Sequence, residues 1–470
     1  MKLRYLVALA SATLLISLLF LRITLFQANM EAITETRKSA LITCLSRNQL
    51  DNGAYTSFMF PSNDNGSNQD GVYETAQALC ALEIFDSCKK VDVDKALSFI
   101  ISNQNVTVGN QTLWGFPGHI LNASGMYINS LYVPYVVICS LKPIGALDSL
   151  NKTALINIAL DRYNKSDGAF HEPIIRGPYK RNYTVCGFPL HYGYNSLLAD
   201  VAYARSNVIS TFLGVNILAE LDVLDRINVT KTLDWVLSCK AENGAFKPFP
   251  GSLPGSLLPH WSRYQTNPFY VDRYGTGIAF TYAALGTLKA LGELNNLTLL
   301  DREKIKDYAL ACQKDFYDVV VVQAHPDDTR STYAECYAFY AIMSLYYVDL
   351  LEAAGEFVSK VVEYLLEWVQ NLRFPDVWPV PPISSRSYGL FWNFPPMETT
   401  YFSVKILNMT GKLFLLDEPT PRANTARTNL TILTIVTSMA IAAATIITIV
   451  MILIIRKKNN RKTHDVPEAI

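Results

Sequence analysis

Trp235-Val236-Leu237-Ser238-Cys239-Lys240, then Asn243-Gly244-Ala245-Phe246, then, past a long insertion, Thr281-Tyr282-Ala283-Ala284-Leu285-Gly286-Thr287-Leu288: these three pieces, in this order, decide the fold. The first ends a helix, the second is a turn and the third is an apolar helix. Glycine at 244 permits the positive φ that stops a helix, and Phe246 is placed to plug the base of the hairpin. Thr281, Leu285 and Leu288, spaced three and four apart, mark one buried helical stripe.

Moving outward, the turn recurs as Asp51-Asn52-Gly53-Ala54-Tyr55 and Asp167-Gly168-Ala169-Phe170, with Leu113-Trp114-Gly115-Phe116 as a looser copy. The apolar helix recurs as Glu74-Thr75-Ala76 with Leu79 and Leu82, Ser210-Thr211-Phe212 with Val215 and Leu218, Ser331-Thr332-Tyr333, and Thr399-Thr400-Tyr401 with Val404 and Leu407. One helical hairpin cannot bury its own stripe, so a repeat of this size predicts stacked units that share a continuous core. The units read as hairpins over 39–86, 94–142, 151–222, 230–294, 303–350 and 358–412, whose twelve helices can close into a ring.

This pattern, across residues 39–412, resembles the prenyltransferase and squalene-oxidase repeat of protein prenyltransferases and terpenoid cyclases. The resemblance implies an all-α fold, an α/α toroid of about six helical hairpins with inner and outer helix rings. It also makes residue-level demands. A zinc-dependent protein prenyltransferase of this kind carries Asp and Cys four and two residues before the inner-helix Thr of one repeat, and His directly before the Thr of the next. Before Thr332 those places hold Asp328 and Arg330, and Thr399 precedes Thr400, so the set is incomplete. Cyclases of the family use Asp-x-Asp-Asp-Thr, whose middle Asp protonates an alkene. The corresponding text is His325-Pro326-Asp327-Asp328-Thr329, with His in the first place. Asp327 and Asp328 are therefore the catalytic candidates, and helix capping by Asp327, Asp328 or Thr329, with a Thr332–Glu335 capping box, is the plainer reading.

The ends of the chain place the ring. Lys2 and Arg4 precede the apolar run Tyr5–Leu21, so residues 1–29 read as a signal peptide or signal anchor. Residues 430–455 carry no charge and suffice to cross about 30 Å of hydrocarbon as a transmembrane helix. Arg456, Lys457, Lys458, Arg461 and Lys462 follow, so residues 456–470 are a basic cytoplasmic tail by the positive-inside rule. The expected layout is a single-pass or double-pass cell-membrane protein, its ring (39–412) on the extracytoplasmic side above a polar stalk (413–429). Sequons at Asn65, Asn105, Asn110, Asn122, Asn151, Asn164, Asn182, Asn228, Asn296 and Asn408 all fall on that side, with Asn429 against the membrane, and are candidates for glycosylation.

Composition narrows the function. Forty-one basic residues balance 41 acidic ones and charged residues are 17% of the chain, which leaves no basic face for nucleic acid. Eight cysteines in an exported chain permit disulfides, but Cys80, Cys139 and Cys336 lie within inner-helix patterns, where a buried thiol acts as a small hydrophobe. No Cys-x-x-Cys or paired-His spacing is present, so no metal and no cofactor are expected.

Three insertions, Phe170–Gly193, Lys247–Arg273 and Phe374–Met397, are long enough to carry function. They are rich in aromatics and hold scattered polar groups: His191; His260, Trp261, Arg263, Asp272 and Arg273; Trp378, Arg386, Tyr388 and Trp392. Aromatic walls with few polar groups describe a small-molecule or glycan pocket, and packing of the loops onto the barrel end is the competing reading. Two classes of function follow. One is a membrane-tethered, noncatalytic domain that binds a lipid, a glycan or a cell-surface protein. The other is an enzyme of the terpenoid-cyclase, prenyltransferase or carbohydrate-active α/α-ring type with relocated catalytic groups. The broken catalytic sets favour the first.

Overall fold

The computed structural model describes residues 36–55, 71–108, 111–116, 118–121, 126–128, 131–171, 174–176, 182–184, 206–251, 275–316, 319–327, 334–371 and 397–418. The chain divides into two compact units, residues 41–415 and residues 1–40 with 416–470. In the second, the described contact is that of Arg37, whose guanidinium lies 3.2 Å from the Glu418 carboxylate and whose backbone N–H donates to the Glu418 carbonyl.

Twelve α-helices appear among the described residues, alternating between two layers. The outer set is α1 (Arg37–Arg47), α3 (Val93–Ser102), α5 (Lys152–Asp161), α7 (Val229–Ser238), α9 (Leu299–Ala311) and α11 (Gly355–Asn371). The inner set is α2 (Gly71–Ile84), α4 (Tyr132–Leu141), α6 (Val208–Glu220), α8 (Ile278–Ala290), α10 (Ala334–Tyr347) and α12 (Met397–Met409). Each inner helix packs on its neighbours in chain order, and α12 packs back on α2, which closes the inner ring. Outer helices α3, α5, α7, α9 and α11 lie against α2, α6, α8, α10 and α12. Inner helices are buried on nearly every side, as helices ringed by others must be.

The turn motif clasps outer and inner layers together. In each good copy the Asx side chain caps its own turn: Asn52, Asp167 and Asn243 accept from the backbone N–H of Ala54, Ala169 and Ala245 at 3.0, 3.0 and 3.2 Å. The aromatics Tyr55, Phe170 and Phe246 are fully buried. Their backbone N–H groups donate to the hydroxyls of Thr75, Thr211 and Thr281 at 2.9, 3.1 and 3.1 Å. Those hydroxyls in turn donate to the carbonyls of Gly71, Asn207 and Gly277 at the start of the same helix. The glycine is required twice over. Gly244 has φ +85°, and a Cβ there would meet the Cβ of Lys304 on the next outer helix at 2.4 Å.

Neighbouring repeats are also tied at the outer-helix starts. The Gln49 amide bridges the backbone N–H and C=O of Asp92, and Gln104 bridges those of Asn151 in the same way. Asp92, Asn151 and Asn228 then cap α3, α5 and α7. On α9, Thr298 and Asp301 form a capping box, and Lys240 pairs with Asp301 at 2.8 Å. Burial alone would raise the Asp301 carboxyl; the bonds from Lys240 and Thr298 hold it below its ordinary value.

Two features differ from the sequence expectation. Among the described residues, ten short strands form five two-stranded antiparallel ribbons: β1 (Asn105–Val108) with β2 (Gln111–Trp114), β3 (Gly118–Leu121) with β4 (Met126–Ile128), β5 (Tyr163–Asn164) with β6 (Ala169–Phe170), β7 (Ile174–Arg176) with β8 (Asn182–Thr184), and β9 (Gln313–Phe316) with β10 (Val319–Val322). All sit between an outer helix and the next inner one, where the chain must return along the ring's end and satisfies its backbone groups locally.

The second difference is a register. All six inner helices end alike: the N–H groups of Ser87, Ala146, Val223, Glu293, Leu350 and Lys412 donate to the carbonyls of Leu82, Leu141, Leu218, Leu288, Leu345 and Leu407 at 2.8–3.0 Å. A left-handed residue precedes each donor: Asp86, Gly145, Asp222, Gly292, Asp349 and Gly411. Counting back from these leucines by the spacing that joins Leu82 to Thr75 returns Thr211, Thr281 and Thr400, but lands on Pro134 in α4 and on Ala338 in α10. Thr332 is therefore not the repeat threonine. The places four and two before Ala338 hold Ala334 and Cys336, in place of Asp328 and Arg330, and Thr399 still stands where His is required.

Candidate functional site

The register defines which side chains look inward. On each inner helix the repeat position faces its own turn, so the residues one and five further along lie toward the ring interior. The first layer is Ala76, Tyr135, Phe212, Tyr282, Phe339 and Tyr401; one turn on come Cys80, Cys139, Asn216, Gly286, Met343 and Lys405.

The first layer is an aromatic plug. Ring centroids run from Tyr135 to Phe212 at 5.1 Å, Phe212 to Tyr282 at 5.1 Å and Tyr282 to Phe339 at 5.7 Å. Phe339 stacks on Phe402 at 4.7 Å, and Phe402 touches Tyr401 at 5.5 Å. Gly286 leaves a gap in the second layer. A Cβ there would collide with Phe212 and reach Tyr347 of α10, which stacks parallel to Tyr282 at 6.0 Å.

Groups from opposite sides of the ring interact here. Tyr135 on α4 senses Tyr347 on α10, and Tyr282 on α8 senses Tyr135 on α4 and Tyr401 on α12. Tyr135, Cys139, Tyr282, Tyr347, Tyr401 and Lys405 thus form one cluster on the axis. Burial raises all four phenols and pushes the Cys139 thiol up to about 12. At neutral pH these groups are uncharged. Lys405 is the cation among them. Burial opposes its charge, and its rise above the ordinary lysine value comes from Tyr401, Cys80 and Cys139 as they ionise at alkaline pH. Its Nζ lies 4.7 Å from the centre of the Tyr401 ring, a cation–π contact. Tyr135, Cys139, Asn216, Met343 and Lys405 are half-buried within the inner ring.

The sequence candidates fall elsewhere. Asp327 is exposed in a turn after β10. Asp328, His191, His260, Trp261, Arg263, Asp272, Arg273, Trp378, Arg386, Tyr388 and Trp392 lie outside the described residues. Glu74, next to the repeat threonine of α2, is 8% exposed and is the buried carboxylate among the described residues. No cluster of metal-binding side chains occurs among the described residues. Cys80, Cys88, Cys139, Cys239 and Cys312 are thiols.

Sequence reasoning missed the axial cluster. Its signal was present in the Leu-to-Asp/Gly helix ends, which set the register independently of the threonine. Among the sequons, Asn151 and Asn228 are exposed N-caps whose Oδ1 takes the cap bond, leaving Nδ2 outside it. Asn296 and Asn408 are exposed, Asn164 donates to Asp167 at 3.1 Å, and Asn105 and Asn182 lie in β1 and β8. Asn65, Asn110, Asn122 and Asn429 lie outside the described residues, as does 430–455. No helix among the described residues is long and apolar enough to cross a membrane.

Among solved structures, the chain is similar to Candida albicans protein geranylgeranyltransferase-I complexed with GGPP, at 12% identity and TM-score 0.44, over 76% of this chain and 91% of that one. It is likewise similar to the type II terpene cyclase MstE from Scytonema, at 12% identity and TM-score 0.44, over 80% and 98%. A protein from Actinoplanes matches at 11% identity and TM-score 0.41, over 80% and 98%. No curated protein sequence matches. The family described as "Prenyltransferase alpha-alpha toroid domain" matches residues 7–114, 118–255 and 262–372. That match spans most of the chain, and with the closed inner ring it establishes that the protein belongs to the prenyltransferase α/α toroid family.

Proposed function

We propose that the toroid is a noncatalytic binding domain, held at the outer face of the cell membrane by a transmembrane helix at 430–455, and that it takes an apolar ligand into its ring. The observation that carries this reading is a wall of half-buried side chains inside the ring beyond the aromatic plug, Tyr135, Cys139, Asn216, Met343 and Lys405. A lipid matches such a wall better than a glycan, because rings and thioether offer contact area and few directed polar bonds. The charge-free run before a basic tail supports the tether, and the exposed N-cap sequons at Asn151 and Asn228 support the outward orientation.

Native mass spectrometry of the full chain, extracted from membranes, tests both parts. A co-purifying lipid-sized mass and glycan mass on the peptides holding Asn151 or Asn228 are expected. A bare, unglycosylated protein that takes up no added lipid would defeat the reading.

Glu74 favours a second reading, an enzyme with a relocated acid, because a carboxylate buried within an apolar helix is an arrangement that general acids use. Turnover of an isoprenoid substrate by the full chain, abolished in Glu74→Gln, would replace the binding reading with this one.

A further inference from the structure

One charge on the ring axis is uncompensated. Lys405 projects from α12 one turn beyond Tyr401, over whose ring its Nζ sits, and shares its surroundings with Cys80, Cys139 and Tyr347. Every one of these neighbours is neutral at physiological pH. No described carboxylate lies within ion-pair distance of Lys405. Glu220, an acid that acts on Cys139, is already paired with Lys142 at the end of α6. The next cation, Lys289, spends itself on the faces of Tyr346 and Tyr347 at 5.0 Å from each centroid. A desolvated ammonium without an anion is costly, and a π face offsets that cost only in part. It persists where something else supplies the counter-charge.

The geometry also limits the counter-charge. A single uncompensated cation balances a single negative charge. A diphosphate would bring two or more charges to a site with one ammonium and no second free cation beside it among the described residues. A carboxylate satisfies both the charge and the hydrogen bonding. One oxygen can take Nζ–H and the other the hydroxyl of Tyr401, over whose ring Nζ sits. Around that point stand the rings of Tyr135, Tyr282 and Tyr347 and the Met343 thioether, with Asn216, whose amide donates to the Phe212 carbonyl.

We infer that Lys405 and the Tyr401 hydroxyl form the receptor for the headgroup of a long-chain carboxylic acid, whose hydrocarbon chain lies against the aromatic wall of the ring. This assignment rests on the binding reading given above and names its ligand class.

The test uses the full chain in amphipol and three probes: a fluorescent long-chain polyene carboxylic acid, its methyl ester, and geranylgeranyl diphosphate. The acid is expected to bind about tenfold or more tighter than the ester. Lys405→Met is expected to remove that preference while retaining ester binding, with the ligand-free variant melting slightly above wild type, and Lys405→Arg to keep it. The retained ester binding shows that Lys405→Met folds. Equal affinity for acid and ester in the wild type, or an acid affinity unchanged in Lys405→Met, would overturn the receptor assignment while the binding reading stands. Preference for the diphosphate over the acid would overturn the single-charge argument. Binding of none of the three would overturn the binding reading itself, and the receptor with it.

Discussion

Each inner helix has two faces that obey different rules. Toward the outer layer, Thr75, Thr211 and Thr281 do the same thing in three repeats: accept one backbone N–H from a buried aromatic and donate to one carbonyl. Toward the axis the equivalent positions differ from helix to helix, from Ala76 through Phe212 to Tyr401, and from Cys80 through Gly286 to Lys405. The clasp is a structural requirement imposed on every unit of a stacked array, because each hairpin must close against its neighbour by the same geometry. The axial face has no such requirement. Three kinds of residue fill the first layer and five the second, so the chemistry of this face is free to specialise.

This contrast breaks most easily at the clasp. Phe246→Ala removes a fully buried ring that seats the turn against α8, and is expected to destabilise by about 3–5 kcal/mol in chemical unfolding. Phe170→Ala should cost a similar amount; a cost below about 1 kcal/mol for either would deny the clasp its role. Thr281→Val keeps the shape and loses both hydrogen bonds, leaving the Phe246 N–H buried and unmet, so a loss of about 1–3 kcal/mol is expected. Thr400→Val sharpens the comparison, because the Thr400 hydroxyl is buried and has no partner, and the same substitution there should be neutral or slightly stabilising.

The axial face predicts opposite signs. Lys405→Met in ligand-free protein replaces a desolvated cation by an apolar side chain of similar length, and the melting temperature is expected to rise, by about 1 kcal/mol in stability terms. A fall of that size would mean that the charge is already satisfied. The Cys139 thiol, raised to about 12, titrates after the unfolded thiol, whose value is about 8.5. Above that value the unfolded chain has lost the proton that the folded chain retains, so stability is complete at neutral pH and declines through the alkaline range toward 12. Iodoacetamide at pH 8 should therefore leave Cys139 unmodified in the native protein and label it after denaturation. The smallest effect belongs to Asp327→Asn: exposed in its turn, it should change neither stability nor ligand binding, and a loss of either would return Asp327 to the site.

Much of the fold was legible because its signals are local. The turn needs a left-handed glycine and a capping Asx, and the inner helix needs leucines at helical spacing. Gly53, Gly168 and Gly244 advertise the first, and Leu82, Leu218, Leu288 and Leu407 the second. The fifth repeat was misaligned for the same reason: Thr332 supplied the expected letter, whereas Leu345 and Asp349, which end α10, set the true register on Ala338. The ribbons were missed because two to four residues of strand are too short for alternation to show, although Val319–Val322 is a β-branched run that could have flagged one of them.

The candidate site was less legible. Composition stands out in the aromatic insertions and at Asp327, and not at Tyr135, Tyr347 or Lys405, which look like ordinary members of apolar helices. Sequence alone determined the repeat, the helix ends and the family, since each depends on residues within a turn or two of one another. Only the tertiary structure decided that α4 and α10 face each other and that a lone ammonium sits among phenols. Those meetings join residues far apart in the chain, and they exist only once the last inner helix has closed on the first.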